Sequence, residues 1–150
     1  MNPDFLDMLC ELHAAGAEYL VVGAFAMSAH GFSRSTGDIE IWIRPTLDNA
    51  ERVMRAINSF GASLLGLTTA DLHTPDVVYQ SGVEPQRVDI LTTIEAVTFD
   101  EAWSNRMIVD FSGATYPVLD IPHMIINKCA AGRDKDILDV KRLERASKQQ

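Results

Sequence analysis

The chain has 150 residues, with 13 basic and 21 acidic side chains and a formal net charge of −8. That length suits one domain around one core, and a content of 47% hydrophobic and 23% charged residues is that of an ordinary water-soluble globular protein. The acidic balance argues against extended nucleic acid as a partner, because general backbone binders neutralise phosphates with surplus Lys and Arg.

The first residues, Met1 to Phe5, hold no basic stretch ahead of an apolar one, so no secretory signal is expected. Residues 4–15 carry Phe5, Leu6, Met8, Leu9 and Leu12 at helical spacing, with Gly16 as the stop. Residues 19–22 form a short continuous apolar run that predicts a buried strand ending at Gly23, followed by a short helix over 24–30. A turn-rich stretch with Arg34 and three hydroxyls then leads into residues 37–44.

In 37–44 apolar and polar residues alternate without a fault, which predicts a strand with Ile39, Ile41 and Ile43 on one face and Asp38, Glu40, Trp42 and Arg44 on the other. An isolated Asp-x-Glu of this kind is most simply the polar face of a half-buried strand. Thr46 caps a predicted helix whose stripe runs from Leu47 to Ile57 and stops at Gly61. Residues 62–75 read as a long loop, and 77–80 and 86–92 as a hairpin turning over 81–85, with Asp89 inside the second strand. A carboxylate there requires a partner or a cation.

Residues 99–105 predict a short helix, and 107–111 with 115–118 a second hairpin turning at Ser112 and Gly113. Asp120 is the expected cap of a helix with Pro122 in its first turn, interrupted at Gly132. Asp134 is the expected cap of a last helix, with Ile137, Leu138, Val140 and Leu143 as its apolar side and a basic end that frays from about residue 144. No apolar run approaches the roughly 18 residues that span a bilayer. Cys10 and Cys129 are too few for a disulfide framework and lack metal-type spacing, so the reducing cytoplasm is the expected compartment.

The apolar residue and turn Val22-Gly23-Ala24, the pair Asp38-Ile39-Glu40, and the third acid in Val88-Asp89-Ile90 occur in the order of one recurring signature. The chain resembles the nucleotidyltransferase superfamily, the fold of DNA polymerase β, whose pattern is an apolar residue, Gly-Gly or Gly-Ser, then Asp-x-Asp or Asp-x-Glu, and later an acid on a neighbouring strand. Ala24 stands where the second Gly or Ser is usual, and Glu40 is the longer of the two acids at its position. The stretch from Asn127 to Val140 is similar to the Lys-x-x-Ala … Lys-Asp-x-x-Asp-Leu pattern of AbiEii-type members, which are nucleotidyltransferase-like proteins of toxin–antitoxin systems.

The resemblance implies an α+β fold, a small mixed sheet flanked by helices, that transfers a nucleotidyl group from an NTP to an unidentified acceptor hydroxyl. It implies Mg²⁺ or Mn²⁺, two ions in all, held by Asp38, Glu40 and Asp89, with Asp89 also helping to deprotonate the acceptor. Gly23 and Ala24 would offer backbone amides to the triphosphate, with Arg34 and Ser35 adding phosphate contacts. Lys128 either reaches a phosphate or pairs with Asp136 or Asp139, and Trp42 either stacks a base or packs. Arg133 and Lys135 read as a solvated helix start. A partner protein or a second copy of the chain can complete so small a site. The alternative is a catalytically inactive binding or regulatory protein, such as a toxin–antitoxin component.

Overall fold

A computed structural model describes residues 2–32, 37–83, 86–111 and 113–148. Arg34 and Ser35, the turn residues Glu84 and Pro85, and Ser112 lie outside the described residues. The helices are α1 (Pro3–Ala14), α2 (Gly23–Ala29), α3 (Leu47–Phe60), α4 (Phe99–Ser104), α5 (Ile121–Ala131) and α6 (Asp134–Lys148). The strands are β1 (Tyr19–Val22), β2 (Ile39–Ile43), β3 (Val78–Ser81), β4 (Val88–Leu91), β5 (Met107–Phe111) and β6 (Ala114–Val118).

All six strands join one mixed sheet in the order β3-β4-β2-β1-β6-β5. The two predicted hairpins are its edges: β3 runs antiparallel to β4, and β5 antiparallel to β6. At the centre β1 is antiparallel to β2, while β2 runs parallel to β4. A parallel neighbour needs a crossover, and here the crossover is α3 with the loop behind it. Thr46 Oγ1 accepts from the Asn49 amide at 3.4 Å to start α3, and Gly61, at φ 90°, ends it. α3 packs on α1, and both bury their apolar stripes in the core.

The sheet register sets the later chemistry. Glu40 is the partner of Val22 on one side and of Asp89 on the other. The end of β1, the acid strand β2 and the third acid on β4 therefore lie abreast.

One open reading is decided, that of Trp42, and two expectations need correcting. Trp42 shares its strand face with Glu40, but that face is covered: the indole is 1% exposed, meets Phe99 edge-on at 5.1 Å, and donates from Nε1 to the Thr92 carbonyl at 3.3 Å. It packs and has no open face for a base. Asp120 occupies the N-cap position of α5, yet its side chain makes no capping bond and pairs instead with His123 Nδ1 at 2.6 Å.

The second correction concerns α6. Asp134 is already helical, and the acid that reaches back to the helix start is Asp136, which accepts from the Arg133 amide at 3.2 Å, the reciprocal half of a capping box. The inward face of α6 carries Asp136, Asp139 and Leu143, each 0% exposed, while Ile137 and Leu138 point outward at 49% and 62%. Helical spacing read Ile137 and Leu138 as core because apolar residues usually are; the buried partner of these acids, Lys128, decides otherwise.

Candidate active site

The acids, the glycine turn and the α5–α6 junction converge on one pocket of about 200 Å³. Its floor is Asp38, Glu40 and Asp89, with Gly23 and Ala24 at one side. Facing them are Lys128 from α5 and Arg133 and Lys135 from the start of α6. One wall is negative and the other positive.

Gly23 is a requirement of this geometry. Its φ of +71° lies in the left-handed region, and a Cβ built on it would stand 1.8 Å from Glu40 Oε2. The Glu40 carboxylate thus lies over the place where any other residue would put its side chain. Gly23→Ala is expected to lower stability by about 1–2 kcal/mol from the backbone conformation alone and to push Glu40 off its position. Urea denaturation reads the first effect, and a crystal structure of the variant reads the second.

Glu40 is half-buried, and its carboxyl is raised above the ordinary value, first by loss of water and then by the neighbouring Asp89 charge. Lys135, Arg133 and Lys128 act in the opposite direction without cancelling the rise. The pocket's basic wall is therefore felt at its acidic floor.

That wall is itself built on buried ions. Lys128 Nζ lies 3.0 Å from Asp139 Oδ2 and 3.8 Å from Asp136 Oδ1. Arg133 grips Asp136 with two bonds, Nε to Oδ2 at 2.6 Å and Nη2 to Oδ1 at 3.2 Å. Burial pushes the Asp136 carboxyl up, but the hydrogen bonds and charge of Arg133 outweigh it and hold the group below its ordinary value. Lys128 pairs across the Gly132 bend, as one of its two readings had it, and also lines the pocket.

Arg87 ties the acidic floor together. Its Nε donates to Asp89 Oδ1 at 2.7 Å and its Nη2 to Asp89 Oδ2 at 3.2 Å. Nη2 also stands 3.6 Å from Asp38 Oδ2, and the Arg87 amide donates to Asp38 Oδ1 at 2.9 Å.

Three carboxylates on adjacent strands are the hard oxygen donors that Mg²⁺ takes, so the residue types fit a divalent cation. As they stand, no three His, Cys, Asp or Glu side chains among the described residues are grouped to hold one. Asp89 and Asp38 are turned to the Arg87 guanidinium.

The fold has counterparts among solved structures. A proposed nucleotidyltransferase of Thermotoga maritima (TM1012) superposes with a TM-score of 0.55 at 15% identity, over 99% of this chain and 92% of that one. The lincosamide antibiotic adenylyltransferase LnuA, in its lincomycin-bound form, gives a TM-score of 0.62 at 12% identity, over 96% of both chains. The chain has the nucleotidyltransferase fold. No protein-family model matches the sequence, and no curated protein matches it either.

Within the nucleotidyltransferase fold, sequence reasoning missed three cations. Arg133 and Lys135 line the pocket although they were read as a solvated helix start, and they belong to the same Lys-Asp stretch that carried the resemblance. Arg87 stands just ahead of β4, two residues before Asp89, the spacing that had already paired Asp38 with Glu40. No helix among the described residues is long and apolar enough to cross a membrane.

Proposed function

We propose that this chain is a divalent-cation-dependent nucleotidyltransferase, moving a nucleotidyl group from an NTP to an acceptor hydroxyl. The observation that carries the reading is the two-sided pocket: carboxylates of β2 and β4 on one wall, Lys128, Arg133 and Lys135 on the other. A polyphosphate with its cation has that same division of charge. Asp38, Glu40 and Asp89 would hold Mg²⁺ or Mn²⁺, which when bound supplies charge neutralisation at the reacting phosphate.

The chain's own residues do the rest. Lys128, Arg133 and Lys135 bind and neutralise the phosphates, assisted by the backbone amides of Gly23 and Ala24. Arg34 and Ser35, between α2 and β2 in sequence, are further candidates for phosphate contact. The acceptor oxygen attacks the α-phosphorus, the bond to pyrophosphate breaks, and the hydroxyl proton passes to the Asp89 carboxylate. A pocket of about 200 Å³ takes the phosphate end of the substrate and the acceptor hydroxyl, leaving the base and the rest of the acceptor outside it. The acceptor class is open, from a protein or RNA end to a small molecule, and the scarce cysteines favour a cytoplasmic setting.

The test is thermal. Mg²⁺ or Mn²⁺ with ATP, GTP, CTP or UTP should raise the melting temperature of the wild-type chain, and Asp38→Asn should erase that shift while keeping the fold by circular dichroism. Absence of a shift with every nucleotide would defeat the reading. A second reading, an inactive AbiEii-like binding or regulatory partner, is favoured by the hold that Arg87 already has on Asp38 and Asp89. It predicts a co-purifying protein whose binding survives Asp38→Asn.

A further inference from the structure

Arg87 combines two roles that an ordinary surface ion pair would not. Its backbone is part of the framework: the amide holds Asp38 Oδ1 at 2.9 Å, and its carbonyl accepts from the Ile39 amide at 3.0 Å, fastening β4 to the start of β2. Its side chain grips Asp89 with two bonds and reaches Asp38. Asp89 is 8% exposed, so its charge has little water to fall back on.

We propose that the Arg87 guanidinium is a resident counter-cation which a divalent ion must displace, making Arg87 the positioning residue that couples cation entry to nucleotide entry. This rests on the reading of Asp38, Glu40 and Asp89 as cation ligands. Two carboxylates drawn to one monovalent, planar cation present their oxygens along its N–H directions. A small divalent ion requires those oxygens turned toward a single point in an octahedron. The two arrangements use the same oxygens of Asp89 and so compete for them.

A phosphate offers Arg87 an equivalent bidentate partner. The nucleotide thus gives the guanidinium somewhere to go as the ion takes its place. Without a nucleotide the ion competes against a formed ion pair, and its binding is weak. With one, both bind together.

The experiment measures Mn²⁺ binding by the electron paramagnetic resonance of the free ion, in wild-type, Arg87→Gln, Asp38→Asn and the Arg87→Gln/Asp38→Asn double variant, without nucleotide. Arg87→Gln keeps the backbone bonds and removes only the guanidinium. It is expected to bind Mn²⁺ about tenfold more tightly than the wild type, the factor that about 1.4 kcal/mol carries, and Asp38→Asn should abolish the gain. A purely structural Arg87 would leave the affinity unchanged or lower it.

A wild-type measurement stands beside it. The Arg87 Nε–H signal in a ¹H–¹⁵N spectrum, assigned by its absence in Arg87→Gln spectra or by selective labelling, should shift when Mg²⁺ and a non-hydrolysable NTP are added together. Equal or weaker Mn²⁺ binding by a folded Arg87→Gln chain, still sensitive to Asp38→Asn, overturns the displacement idea and leaves the proposed function standing. So does a Nε–H signal that stays fixed while the Mg²⁺–nucleotide complex binds, whatever the fate of the variant. No Mn²⁺ binding by any form, even with nucleotide present, overturns the cation reading itself and this inference with it.

Discussion

Lys128→Ala is expected to destabilise the chain by about 3–5 kcal/mol, the range for removing one partner of a buried ion pair. The reason is what it leaves behind. Asp136 and Asp139 are both 0% exposed, and Lys128 Nζ is 3.0 Å from one and 3.8 Å from the other. Arg133 still holds Asp136 through its bidentate contact, so that carboxylate keeps one cation. Lys128→Met combined with Asp139→Asn should recover much of the stability, because it removes both charges and keeps the volume. Denaturation in urea, extrapolated to water, gives both values.

The same network sets an acid limit. The Asp136 carboxyl sits below its ordinary value in the folded chain, so its stabilising contribution is complete above the unfolded value and is lost as pH falls through the folded one. Nucleotide binding should separate the two variants from the wild type independently of stability. Neither restores the cation at the pocket wall, so the double variant is expected to fold and still bind an NTP weakly.

The order of elements was readable because each was announced by a local rule. Alternation marked β2, Thr46 and Gly61 bounded α3, and turn residues marked both hairpins. Asp38, Glu40 and Asp89 were readable as a set because their spacing survives projection onto a sheet: i and i+2 on one strand, a register partner on the next. What could not be read was that Arg87 is the partner of Asp89, while the pairing of Lys128 with Asp136 or Asp139 was one of two readings left open. Sequence alone does not say that α5 and α6 fold back so that Lys128, Arg133 and Lys135 face β2, since that depends on the turn at Gly132 and on contacts distant along the chain.

The inverted face of α6 has the same origin. Helical periodicity assigns inside and outside by hydrophobicity, and Ile137 and Leu138 outrank Asp136 and Asp139 on any such scale. The acids are inside because Lys128 and Arg133 meet them there. Arg87 shows a further limit: its neighbour Asp89 was singled out for needing a cation, and the nearest cation in sequence supplies that need.

Glu40→Gln is expected to raise the stability of the free chain while abolishing its response to divalent cation and nucleotide. Glu40 is half-buried, faces Asp89 across one register step, and lies under the bare Cα of Gly23. Its carboxyl is raised, chiefly by burial and then by Asp89, so the folded chain holds a proton there more tightly than the unfolded chain does. The sign follows: with more protons bound in the folded state, stability falls as pH rises from the ordinary carboxylate value through the raised one. Above that raised value the wild type carries the penalty in full. Gln has the same shape and no charge, so the variant should lack this descending segment of the pH profile and melt higher at pH 7, by an amount in the range of about 0.5–2 kcal/mol that relieved functional strain commonly returns. Thermal melts of both chains from acid to neutral pH test the sign, and titration with Mn²⁺ and NTP tests the loss. A variant less stable than wild type at neutral pH would show that the Lys128, Arg133 and Lys135 charges, rather than water and Asp89, govern Glu40.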